Sequence, residues 1–295
     1  MRLSLPDQSW RGAAWKALAG LCFSAINGIV KSLIGHFPFA EVAFFEHLFA
    51  MVWLLPFVFF DMRRCLFLEK PLWHLWRVLL SALGVMLWYQ ALHYLPMAHA
   101  VALGFLGPMA TSLGAVFILK EPFTSTRFVA LALGLVGGML ISHSFQNVSF
   151  SSCGWAVFLP VGSALAFSCS TLLNKRLTSF DAPLAIVTSL IVLMTPFFGV
   201  LSLPVWVMPS WADVGIFFIL GGLTALAHMA ITRSLVCSDV LFLLPIGSLR
   251  FVFTALIGFF FFAQHLDFFI FLGFFSIVTG LTLLSFFEKR AHKAN

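Results

Sequence analysis

Charge is the scarcest property of this sequence. Asp, Glu, Lys and Arg make up 9% of its 295 residues, against about 25% in a soluble chain. With 61% hydrophobic residues and a mean hydropathy of +1.03, it lacks the polar surface that keeps a protein dissolved. Cysteines are few. The five (Cys22, Cys65, Cys153, Cys169 and Cys237) are odd in number and contain no CxxC pair, which argues against a disulfide framework and a zinc site. No GxxxxGKS/T loop, HExxH or GxSxG motif is present, so intrinsic ATP hydrolysis, zinc-peptidase and serine-hydrolase chemistry are not indicated. Neither a cofactor nor a metal is expected, and the chain does not read as an enzyme. The first apolar run, from Ala13, is long and lacks a small-residue cleavage site, so it reads as a span rather than a cleaved leader.

Long apolar runs are what the sequence does have. A helical span needs about 20 mostly apolar residues. Ten runs qualify, at about 13–34, 40–60, 72–94, 97–118, 126–143, 153–173, 183–203, 213–233, 238–262 and 265–287. They lack the strict alternation of a membrane β-barrel, so the expected fold is all-α. The net charge of +6 does not point to nucleic acid, because the cations are scattered and flank the runs. With both termini cytoplasmic, fifteen of the seventeen Lys and Arg fall on inner flanks; only Lys31 is outer, and Arg250 lies inside the membrane. That bias is a topology signal.

The chain also repeats itself. NGIVKSLIGHFP at the end of the first run matches TLLNKRLTSFDAP at the end of the sixth, setting Lys31 on Lys175; LLPFV and LMTPFFGV set Pro56 on Pro196. Five spans is an odd number, so the second copy inserts upside down. The expected architecture is ten transmembrane helices in two inverted five-helix repeats: 13–143, an extracytoplasmic linker 144–152, then 153–287, with a cytoplasmic tail 288–295. Inverted repeats are a device of secondary transporters, with the substrate site near the midplane between the halves.

From about residue 13 to 287, the sequence resembles the EamA family of the drug/metabolite transporter superfamily. AEVAFF (40–45), WYQALHYLPMAHAVALGFLGP (88–108), LKEPF (119–123), LNKR in the sixth run and the segment from Pro245 to Asp267 carry the likeness. The resemblance implies a bacterial inner-membrane secondary transporter working by alternating access on a small metabolite, in the lipid bilayer, with a homodimer open to it. EVAFF, LLPFV and WYQAL are similar to the branch that takes up S-adenosylmethionine; an exporter of amino acids or related metabolites is the alternative. An integral-membrane enzyme or a passive scaffold is the rival class, and the repeat and the central charges speak against both. Two departures stand out: Glu46 stands where that branch commonly has arginine, and Arg250 where it commonly has an acid.

Intramembrane charges mark function by default, so Arg250, with Ser248 beside it, and Glu46 head the candidate substrate-binding residues. The two are expected either to pair with each other, tying two helices, or to hold a carboxylate-bearing substrate at the guanidinium. Asn27 shares a helix face with Lys31. Trp88 and Tyr89 offer aromatic faces for stacking or a cation, and Gln90 offers an amide; near a helix end, all three also fit interface anchors. His228, which shares a face with Thr224, is a candidate proton relay or a packing residue. Lys31, Lys175, Pro108 and Pro245 are candidates for coupling or gating, the prolines as matched helix breaks.

Overall fold

The computed structural model describes residues 9–60, 68–104, 106–107, 125–143, 154–238, 243, 246–264 and 267–294. Among these residues it is all-helical and contains no strand. The helices are α1 (Ser9–Leu33), α2 (Phe39–Phe60), α3 (Pro71–Tyr94), α4 (Met97–Gly104), α5 (Ser125–His143), α6 (Phe158–Leu177), α7 (Pro183–Ser202), α8 (Trp211–Cys237), α9 (Leu249–Phe262) and α10 (Phe268–Ala294). Among the described residues, six segments are long and apolar enough to cross a membrane: Trp10–Leu33, Phe39–Phe60, Pro71–Tyr94, Trp155–Leu177, Pro183–Val205 and Trp211–Cys237. Phe128–Leu140, Leu249–Phe262 and Phe268–Leu283 are shorter apolar helices. Large apolar side chains such as Phe60, Trp76, Phe158 and Phe260 face outward, which suits a lipid-facing surface.

Local chemistry sets the helix starts. Pro71 and Pro183 open α3 and α7, where proline's missing N–H costs no hydrogen bond. A capping box opens α8: Asp213 N donates to Ser210 Oγ at 3.3 Å, and Ser210 N donates to Asp213 Oδ2 at 2.9 Å. Pro56 lies inside α2 and Pro196 inside α7, each removing one rung of the helical hydrogen-bond ladder.

The ends of α3 and α8 are closed by lysines from other helices. Lys31 Nζ, in the last turn of α1, donates to Leu92 O at 2.7 Å and Leu95 O at 2.9 Å. Lys175 Nζ, in the last turn of α6, donates to Leu235 O at 2.6 Å and Ser238 O at 3.1 Å. A helix C-terminus leaves carbonyls without intrahelical partners, and an ammonium suits its negative dipole end. Lys31 and Lys175, both expected to serve coupling or gating, thus each cap the end of another helix. Packing follows the same pattern: α1 lies on α8 and α3 on α6, α1 on α9 and α6 on α4, α2 on α7, and α5 on α10.

Close approach of α2 and α8 depends on Gly221. A Cβ added there would lie 2.5 Å from Ala50 N and 2.6 Å from the Phe49 carbonyl carbon, whereas one added at Gly215 meets nothing within 4 Å. Gly221→Ala is therefore expected to destabilise the fold by about 1–3 kcal/mol, the usual cost of overpacking. Thermal unfolding of the detergent-solubilised protein should show the loss, with Gly215→Ala as the variant that lacks it.

Candidate functional site

Arg250 sits in the first turn of α9, against α1. Gly20 makes room for it: an added Cβ would lie 3.5 Å from Arg250 N and 3.6 Å from its Cβ. Ser24 Oγ lies 3.0 Å from Arg250 O and 2.9 Å from Gly20 O, and accepts from Thr254 Oγ1 at 2.9 Å. These contacts fasten the backbone of α9 to α1 around the cation.

The guanidinium itself is held by aromatic faces. Its carbon lies 5.2 Å from the Phe23 ring centroid and 5.1 Å from that of Trp88. Nη2 donates to Asn27 Oδ1 at 3.4 Å, and the same oxygen accepts from Trp88 Nε1 at 2.9 Å. A desolvated cation–π contact contributes about 2 kcal/mol. Placing arginine at a bilayer centre costs about 2.5–3.5 kcal/mol on insertion scales. Two ring contacts therefore offset a cost of that size. Asn27 Nδ2 and Arg250 Nε are buried without a hydrogen-bond partner. Two donors thus stand unused beside the ring slot.

Glu46 is buried and belongs to a separate set of bonds. Tyr89 Oη donates to its Oε2, and Thr224 Oγ1 donates to Oε1 at 2.6 Å. Both carboxylate oxygens are satisfied by neutral hydroxyls, and Glu46 and Arg250 form no ion pair. The expected pair fails because height along two helices does not fix which way the side chains turn. Tyr89 and Thr224 claim the carboxylate, while Phe23, Trp88 and Asn27 claim the guanidinium.

Asn27, Trp88 and Arg250 thus come together, and Tyr89 and Glu46 form an adjoining group. His228 is half-buried on α8, edge-on to Phe23 with centroids 5.6 Å apart, and within electrostatic reach of Arg77 and His47. Gln90 and Ser248 are half-buried; Ser248 immediately precedes α9. Pro108 and Pro245 lie outside the described residues. Phe23, Lys16 and Arg77 are additions to the candidates. Phe23 shares the α1 face of Asn27 and Lys31 by its spacing of four, a signal lost among so many phenylalanines. The Lys16 side chain lies over Gly247, whose added Cβ would stand 3.3 Å from its Cε. Arg77 is buried in α3 and donates from Nη1 to Ile186 O at 2.7 Å; its place beside other basic flanks makes it read as a topology signal.

Because the two charges are not partners, exchanging them should not restore function. In the double variant Glu46→Arg, Arg250→Glu, the new arginine meets two hydroxyls and the new carboxylate meets two ring faces that repel it. Substrate flux is expected to stay at background in both single variants and in the double variant, measured at matched membrane expression.

Residues 10–143 match the EamA-like transporter family. A riboflavin transporter of Rhizobium johnstonii is 35% identical over 260 residues, covering 87% of this chain and 85% of its own. A riboflavin transporter of Vibrio cholerae is 32% identical, covering 87% and 86%. An S-adenosylmethionine uptake transporter of Rickettsia felis is 26% identical over 285 residues, covering 95% and 94%. A solved crystal structure superimposes with a TM-score of 0.70 over 97% of this chain and 98% of that one, at 14% identity, and so shares the fold. The aligned relatives are transporters rather than enzymes. The chain belongs to the EamA-like transporter family and is a multi-pass membrane transporter of the bacterial kind.

Proposed function

We propose that this chain carries a planar heteroaromatic metabolite across the bacterial inner membrane by alternating access, with an isoalloxazine of the riboflavin type as the first candidate. The observation that carries the reading is the pair of unpartnered donors, Asn27 Nδ2 and Arg250 Nε, beside the slot between Phe23 and Trp88. A flat ring system suits such a slot, and carbonyl or ring-nitrogen acceptors on its edge would satisfy both donors. Riboflavin offers those acceptors and needs no carboxylate to bind its substituents. The relatives from Rhizobium johnstonii and Vibrio cholerae support the same choice.

S-adenosylmethionine is the second reading, favoured by relatives that span 95% of the chain. Its adenine would stack, and its carboxylate would meet Arg250. Its ammonium, however, calls for a free carboxylate, and both oxygens of Glu46 are already engaged. An amino-acid exporter meets the same objection.

The architecture behind this reading is two inverted five-helix repeats, 13–143 and 153–287, joined by 144–152, with both termini and the tail 288–295 cytoplasmic. Support comes from the matched lysine caps and from packing pairs that exchange under a two-fold axis. At one end of the bundle, Arg176 lies 4.9 Å over Trp73 and Arg233 lies 5.6 Å over Trp15. Cations snorkelling onto tryptophans are characteristic of a membrane interface.

Uptake of radiolabelled riboflavin into cells expressing the chain tests the reading. It is expected to be saturable, competed by unlabelled flavin and insensitive to methionine. Arg250→Ala is expected to reduce it at least about tenfold, the worth of about 1.4 kcal/mol of binding. Uptake of labelled S-adenosylmethionine but not riboflavin would select the second reading.

A further inference from the structure

Away from the arginine, a buried polar triad joins α3, α7 and the connection between α6 and α7. His74 Nε2 lies 3.0 Å from Asp181 Oδ2, and His74 Nδ1 lies 2.7 Å from Ser189 Oγ. Glu69 N donates to Asp181 Oδ1 at 3.2 Å, and Ser189 Oγ donates to Ile186 O at 3.0 Å. His74, Asp181 and Ser189 are all buried. The substrate reading leaves this cluster unused, and it crosslinks segments from both halves of the chain.

The same place in the other half is aromatic. Counting from Lys31 as from Lys175 sets Phe37 on Asp181, counting back from Leu92 as from Leu235 sets His74 on Phe217, and Phe45 and Ser189 are each the seventh residue of their helices, α2 and α7. Phe37, Phe45 and Phe217 are buried, and Phe217 meets both of the others. Phe217 lies 5.5 Å from Phe37 and 4.8 Å from Phe45 between ring centroids. Phe45 also lies 5.4 Å from Trp206, and Val207 N donates to Glu41 Oε2 at 2.9 Å, which ties α2 to the segment before α8.

The triads close opposite ends of the bundle. Phe37 follows the Lys31 that caps α3 at Leu92. His74 lies eighteen residues earlier on that helix, about 27 Å at 1.5 Å per residue. The arginine site lies between them, with Glu46 next to Phe45 in sequence and Arg77 one turn from His74.

We infer that these two triads are the two gates of the transport path: Phe37, Phe45 and Phe217 at one face, and His74, Asp181 and Ser189 at the other, both closed in this structure. The inference rests on the alternating-access reading and is independent of the substrate. The gates differ in kind. The aromatic gate closes by apolar burial, which is not directional and tolerates a change of shape. The polar gate closes through hydrogen bonds of fixed geometry, so removing one member leaves its partners buried and unsatisfied.

Alternating access makes opposed gates reciprocal, because weakening one shifts the population toward the state in which the other is shut. Amide hydrogen exchange of the full chain in lipid nanodiscs, without substrate, reads both gates at once. In Phe217→Ala, exchange is expected to rise about tenfold in segments 36–45 and 211–218 and to fall in 71–78 and 178–190, a shift of one decade in a two-state equilibrium. His74→Ala is expected to give the reverse pattern. Phe217→Leu and Ser189→Ala are the milder variants for cases where alanine prevents folding, with the same signs expected. Faster exchange confined to the substituted end, or faster exchange at both ends, would mean simple local loosening and overturn the inference. Because no substrate enters the measurement, a wrong substrate leaves this result standing, and a failed reciprocal pattern leaves the uptake test standing.

Discussion

Hydrocarbon offers no partner to an N–H, a carbonyl or a charge, so each such group inside the membrane must find one within the protein. The described structure is organised around that constraint. Lys31 and Lys175 meet the last carbonyls of α3 and α8, whose helix ends would otherwise lie buried with orphan acceptors. Ser163 Oγ donates to Gly84 O at 2.7 Å, and Ser81 and Ser170 share a bond of 2.6 Å, joining α3 to α6. Bonds of this kind align helices that have no hydrophobic drive to associate in lipid. Asn27 Nδ2 and Arg250 Nε are among the buried atoms that find no partner, as are Glu41 Oε1, Arg77 Nε, Asn174 Oδ1 and Thr188 Oγ1. Asn27 Nδ2 and Arg250 Nε lie beside the Phe23 and Trp88 rings, where Ser24 and Thr254 fasten α9 to α1.

The proposed duplication explains why the site is lopsided. The register of the lysines sets Gly20 on Ala164 and Ser24 on Ser168, and the register of Leu92 and Leu235 sets Gly107 on Arg250. At the crossing of α1 with α9, Gly20 is small and Arg250 large; at the matching crossing, Gly107 is small and packs on Ala164 and Ser168 of α6. A Cβ added at Gly107 would fall 2.7 Å from Ala164 Cβ and 2.9 Å from Ser168 Oγ. The same helix crossing therefore occurs twice, with the bulk on opposite partners. One crossing is filled by glycine, the other by a cation.

The helical architecture was legible because its signal is summed over about 20 residues per span. Arg250 was legible because it is the single charge in a long apolar run, and Lys31 and Lys175 because they fall at matched points of a repeat. What those residues touch was not. Glu46 and Arg250 sit at compatible heights, yet azimuth decides contact, and azimuth depends on how α2, α8 and α9 rotate against α1. Phe23 was hidden by composition, since nothing in the chain distinguishes one phenylalanine from the other thirty-six. His74, Asp181 and Ser189 were hidden by distance: 115 residues separate the histidine from the serine that it touches. No spacing rule brings together a helix start, a connection and a helix interior from two halves of a chain.

The slot between Phe23 and Trp88 is already occupied by the Arg250 guanidinium, which constrains how any substrate gains affinity there. A ring that enters must displace the cation and forfeit two contacts of about 2 kcal/mol each. Aromatic stacking contributes about 0.5–1.5 kcal/mol beyond area burial, so stacking alone does not repay the exchange. The net gain has to come from acceptors that reach Arg250 Nε, where a hydrogen bond to a charged donor contributes about 1.5–3 kcal/mol, and the neutral amide Asn27 Nδ2, where one contributes about 0.5–1.5 kcal/mol. Recognition would then be polar even though the pocket is lined by rings. A flat hydrocarbon of the right size would be rejected, because it removes the cation from its faces and returns nothing to it. On the proposed reading, the displaced guanidinium would also supply a reason to release the substrate, since its own ring contacts re-form once the site empties. An arginine that competes for its own slot keeps binding moderate, and moderate binding is what a carrier that must let go requires.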